Sequence, residues 1–62
     1  MPIITVDTTP LTREQKERLI MEFTSIACSV TGLPESAMIV VINEAGPDNF
    51  GVGGMQLSQM KH

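Results

Sequence analysis

Apolar positions along the chain fall into blocks with different periods. Ile3, Ile4 and Val6 stand in a mostly β-branched run, and this predicts a strand over residues 2–7. Thr8-Thr9-Pro10-Leu11 interrupts it. Thr12, with Gln15 three residues on, then forms a capping-box pattern at the head of a helix predicted over residues 13–30. Leu19, Ile20, Phe23, Ile26, Ala27 and Val30 fall on one side of that helix, within an arc of roughly 120°. Met21 and Cys28 fall on the opposite side and read as a minor packing contact. Gly32 suits the left-handed residue after the last turn, and Pro34 cannot continue the helix. Met38-Ile39-Val40-Val41-Ile42 is apolar at odd and even positions alike, which predicts a strand covered on both faces. Residues 44–49 hold Gly46-Pro47 and read as a turn. Phe50-Gly51-Val52-Gly53-Gly54 follows, read as a tight turn or hairpin, and then a short amphipathic tail over residues 55–60.

Strand, helix, strand in this order predicts an α/β chain built as a parallel, right-handed β-α-β unit with one crossover helix. Two strands make a weak sheet, and one helix can cover only one of its faces. The second strand nevertheless asks for cover on both. With 62 residues, 42% of them hydrophobic, and a single cysteine that rules out an internal disulfide, the chain has much apolar surface and little means to bury it. These features predict one domain, residues 1–62, completed by other copies: paired subunits that join their sheets, and stacking of those pairs.

Charge narrows the function classes. A net charge of −3 with four Lys plus Arg lacks the basic stripe of a nucleic-acid binder. No apolar run approaches the roughly 20 residues that span a bilayer, and no basic region followed by a long apolar core marks a signal peptide. The expected setting is cytoplasmic, without nucleic acid or membrane as partner.

The candidate chemistry lies at the start. Pro2 follows Met1, whose removal is the ordinary expectation before a small residue, and the exposed group is then a secondary amine. A typical α-amino group titrates at about 7.7–8.0. Apolar surroundings disfavour its charged form and bring it toward neutrality. An amine so placed can serve as general base and acid with no metal or cofactor. The plainer reading is a proline that merely opens a strand, where it is tolerated. Arg13 could hold a substrate carboxylate with its planar fork, or be a solvated residue of the first helical turn. Gly51, Gly53 and Gly54 lack the later glycine and the Gly-Lys-Ser/Thr of nucleotide loops. Cys28 has no His or Asp near it in sequence and is expected to be inert in the middle of the helix. Glu44, Asp48 and Asn49 read as a solvated loop within possible reach of substrate, and His62 as a mobile chain end.

Pro2-Ile3-Ile4, Glu14-Gln15-Lys16 and Phe50-Gly51-Val52-Gly53-Gly54, at these separations, resemble the 4-oxalocrotonate tautomerase family over essentially the whole chain. Pro10-Leu11-Thr12 and Gly51-Val52-Gly53-Gly54 look most like its DmpI-type branch. The resemblance implies a β-α-β protomer in a homohexamer assembled as a trimer of dimers. It implies Pro2 as the catalytic base, moving a proton between positions of a dienol or unsaturated 2-keto acid without a cofactor. It also implies Phe50 as part of an apolar wall. Better-studied members carry one arginine just before the helix cap and another early in the second strand. Leu11 and Ile39 stand there in this chain. The departure favours a smaller or less charged enol as substrate. It also keeps open a second reading, in which the chain is a weakly catalytic or non-catalytic subunit of a mixed oligomer, or a binding module.

Overall fold

A computed structural model describes residues 1–60; His62, read above as a mobile end, lies outside the described residues. Strand β1 (Ile3–Thr8) leads into helix α1 (Arg13–Thr31), and β2 (Ile39–Glu44) returns parallel to β1. The register pairs Ile3 with Ile39 and Thr8 with Glu44. Short strands β3 (Gly51–Val52) and β4 (Met55–Gln56) form an antiparallel hairpin after it. The β-α-β order and the C-terminal hairpin are therefore as the sequence predicts, with boundaries shifted by one or two residues. Three details differ. Glu35–Ala37 form a single 3-10 turn, which delays the second strand to Ile39 and leaves Met38 outside it. Glu44 is the last residue of β2 and not part of the loop. The tail over residues 55–60 is strand β4 followed by a 3-10 turn, Leu57–Gln59.

Local chemistry explains the helix ends. The Gln15 N–H donates to Thr12 Oγ1 at 3.1 Å, and the Thr12 N–H donates to Gln15 Oε1 at 3.0 Å, so the reciprocal box is closed. At the other end Gly32 takes φ 75°, and its N–H donates to the Cys28 carbonyl at 2.9 Å. Thr12→Ala removes one of two side-chain contacts to otherwise unpaired N–H groups, and should cost about 1 kcal/mol in urea unfolding at fixed protein concentration. In the hairpin, Gly53 and Gly54 have φ 62° and 85°, the paired positive values that a two-residue type I′ turn demands. The glycines thus serve the turn.

The two sheet faces are unequal. Ile4, Val6, Val40 and Ile42 are half-buried on the face that α1 covers, while Ile3, Thr5, Ile39 and Val41 are exposed on the other. Cover on both faces of β2 is not achieved within one chain. The helix stripe also divides. Leu19, Phe23 and Ala27 are half-buried, whereas Ile26 and Val30 are 62% and 80% exposed. Ile20 is also exposed, because a two-stranded sheet is too narrow to meet so broad an arc. Cys28 is half-buried although its spacing sets it opposite the apolar stripe, whereas Met21 is exposed, so the minor packing contact read for the pair is not made by Met21 within one chain.

No described residue is fully buried. The accessible surface is 4840 Å², against about 3,900 Å² for a compact monomer of this mass. The radius of gyration is 14.8 Å, against about 11 Å for a compact chain of this length. Excess surface and elongation share one cause: the hairpin packs chiefly on the flanking 3-10 turns, Pro47–Asn49 and Leu57–Gln59, and little on the sheet or helix. No helix among the described residues is long and apolar enough to cross a membrane.

Candidate functional site

Pro2 lies at the open end of the parallel ladder, one residue before β1. Its carbonyl accepts the Ile39 N–H at 3.2 Å, which holds the start of the chain against the start of β2. Pro2 is half-buried, while Met1 is 83% exposed. Ile3 and Ile39 pair across the strands beside Pro2, and both project onto the open face with Val41. This end of the sheet is apolar. The far end is polar: Asn43 Nδ2 donates to Asp7 Oδ1 at 3.1 Å.

The cations gather at that far end. Because α1 runs back against the strands, its first turns lie beside the end of β2. Lys16 Nζ donates to Glu44 Oε1 at 2.7 Å, and the Leu11 N–H donates to Glu44 Oε2 at 2.8 Å. Six residues of strand separate this cluster from the Pro2 end, about 20 Å at 3.3 Å per residue. Arg13 opens the helix at the same far end, so one chain does not bring Arg13 and Pro2 together. Phe50 is reached from there as well, through the 3-10 turn Pro47–Asn49, and is half-buried at the foot of the hairpin, where its carbonyl accepts the Leu57 N–H at 2.8 Å.

Glu44 has a structural role that sequence reading missed. Its partners are 28 and 33 positions away, a separation no local pattern reveals. The Lys16 ammonium first, and the Leu11 N–H second, hold the Glu44 carboxyl below its ordinary range. Since the folded value is lowered, the stabilisation is present above the unfolded value, near pH 4.3, and is lost as pH falls through the lowered folded value. Glu44→Gln should therefore lower the urea midpoint at neutral pH. The gap to the parent protein should close below about pH 4. A gap that stays constant down to about pH 2 would contradict this role. Of the other loop residues, Asp48 accepts from Ser58 Oγ through its carboxylate and from Gln56 Nε2 through its carbonyl, so it fastens the hairpin to the turn before it.

Known proteins share this sequence pattern and fold. The family model described as "Tautomerase enzyme" matches residues 2–60. A 2-hydroxymuconate tautomerase of Bacillus subtilis is 36% identical over 62 residues, which cover 98% of this chain and 100% of that protein. The crystal structure of YwhB, a homologue of 4-oxalocrotonate tautomerase, superposes with a TM-score of 0.89 at 34% identity, covering 97% of this chain and 100% of the other. DmpI from Helicobacter pylori superposes with a TM-score of 0.86 at 27% identity, covering 95% and 100%. A match that starts at Pro2 and runs through the hairpin, on a shared β-α-β fold, is a match of the whole unit: the chain belongs to the tautomerase family, with 4-oxalocrotonate tautomerase and DmpI homologues among its structural neighbours.

Proposed function

We propose that the chain is a cofactor-independent isomerase in which Pro2, freed by removal of Met1, moves a proton along a 2-hydroxydienoate or related 2-keto acid. The observation that carries this reading is a half-buried proline heading the first strand of a chain whose family match begins at that residue. The neutral amine takes the proton of the C2 hydroxyl. The electron pair left on oxygen forms the C2 carbonyl, and the diene electrons shift along the chain. The ammonium then returns its proton to the terminal carbon of the diene, so atoms and charge balance and Pro2 is regenerated. The exposure of Met1 supports its removal by an aminopeptidase, because nothing in the fold shelters it.

The site is composite in this reading. Pro2 lies at one end of the sheet and Arg13 at the other, so they meet only across copies. A two-fold axis perpendicular to the strands sets the start of one sheet beside the end of the next. Stacking such pairs on their open faces would cover Ile3, Ile39 and Val41. We read the assembly as a homohexamer, a trimer of dimers, of single-domain protomers spanning residues 1–62 in the cytoplasm. Phe50 contributes an apolar wall and Arg13 a carboxylate contact.

The test pairs intact mass with ketonisation of a 2-hydroxydienoate followed by ultraviolet absorbance. Protein lacking Met1 should be active, and protein with Met1 retained behind an uncleaved tag should be inactive, since the Pro2 nitrogen is then an amide. Equal activity in both forms would refute the mechanism. The arginine positions taken by Leu11 and Ile39 favour one second reading, a subunit of a mixed oligomer. That reading expects activity only after mixing with an arginine-bearing homologue.

A further inference from the structure

We infer that the substrate carries a single carboxylate, held by Arg13 of the partner subunit, and that Ile39 beside Pro2 closes the site to a second anionic group. This rests on the proline reading above and adds the charge of the substrate to it.

The chain has four Lys plus Arg, and the three among the described residues, Arg13, Lys16 and Arg18, all lie in the first two turns of α1. Lys16 is committed to Glu44 at 2.7 Å. Arg18 Nε donates to Glu22 Oε2 at 2.9 Å, one helical turn on, with both side chains mostly exposed. Of these three, Arg13 alone has no ion-pair partner among the described residues. A composite site that draws on one helix start thus receives one uncommitted guanidinium, enough for one bidentate carboxylate.

The Pro2 end supplies the complementary half. The Ile39 N–H donates to the Pro2 carbonyl at 3.2 Å, so the start of β2 lies beside the start of the chain, and the Ile39 side chain projects onto the open face at that end. It is 39% exposed, and Ile3 and Val41 flank it on the same face. A carboxylate pressed against these three side chains would lose water and gain no donor, which is costly for a charged group. A terminal CH₂ or aryl group would instead bury apolar surface there. The apolar open face at the Pro2 end therefore rejects a second carboxylate.

The experiment uses the full chain with Met1 removed and two probes that differ by the second carboxylate: 2-hydroxypenta-2,4-dienoate, with one, and 2-hydroxymuconate, with two. The expected kcat/KM favours the monocarboxylate by at least about tenfold. Arg13→Ala should raise KM for the monocarboxylate by about tenfold or more with a smaller change in kcat, and Arg13→Lys should recover part of it. Ile39→Arg should raise kcat/KM for the dicarboxylate by about tenfold or more. A dicarboxylate turned over as well as or better than the monocarboxylate, or an unchanged KM in Arg13→Ala, overturns the inference while Pro2 stands as the base. Turnover of neither probe, or full activity in Pro2→Ala, overturns the proline reading, and the inference falls with it.

Discussion

Pro2→Ala, with Met1 removed, is expected to keep the assembled fold and to lose about 10²–10⁴-fold in kcat/KM. The fold should survive because the contact that Pro2 makes is through its carbonyl, which accepts the Ile39 N–H, and alanine presents the same carbonyl. The rate should fall because the ring does two things at once. It ties the nitrogen back to the side chain and so limits where its lone pair points, and it makes the terminal amine secondary. Alanine leaves a primary amine on a freely turning bond, where the reacting proton and the base are no longer held in line. The measurement is kcat/KM beside a far-ultraviolet circular dichroism spectrum. Unchanged turnover with an unchanged spectrum would remove Pro2 from the mechanism.

The second large effect concerns assembly. Val41→Asp should abolish the oligomer and, with it, the folded state at micromolar concentration. Val41 is 40% exposed on the open face of the sheet, opposite Thr5 and two residues from Ile39, on the side that α1 does not cover. A carboxylate there would be desolvated by any copy stacked on that face. Loss of the contact should unfold the chain and not merely separate the copies, because one chain buries no described residue fully and has too little core to stand alone. The parent protein should accordingly show a Tm that rises with protein concentration. Sedimentation velocity and circular dichroism on the same sample decide the matter. A Val41→Asp protein that stays folded as a monomer would contradict the assembly argument.

Much of this was legible in the sequence, for identifiable reasons. Thr12, Gln15 and Gly32 act through neighbours within a few positions, so the helix ends could be read from local spacing. The unbroken apolar run in β2 signalled a need for cover on two faces, and the structure shows only one of them met by its own helix. What escaped depends on distance and on width. The anchoring of Glu44 by Lys16 and Leu11 joins residues far apart in the chain, where periodicity carries no signal. Ile20, Ile26 and Val30 have the spacing of a buried stripe, yet how much of a stripe is buried depends on the width of what it meets, and two strands are narrow. Cys28 lies toward the packed side for the same reason: hydrophobicity ranks residues but does not centre the face. Arg13 and Pro2 look near each other in a short chain, whereas the antiparallel run of helix against strands sends them to opposite ends.

The central claim is that the reacting group is an unblocked secondary amine at Pro2, set in an apolar site that several copies complete. It is tested most directly by a pH titration of the ¹⁵N-labelled Pro2 nitrogen in the assembled protein, set beside the pH dependence of kcat/KM. An amine resonance is expected whose titration midpoint coincides with the kinetic one and moves upward toward the ordinary α-amino range when the copies are dissociated. A nitrogen that shows an amide shift and does not titrate, in protein that still turns over a 2-hydroxydienoate, would contradict it.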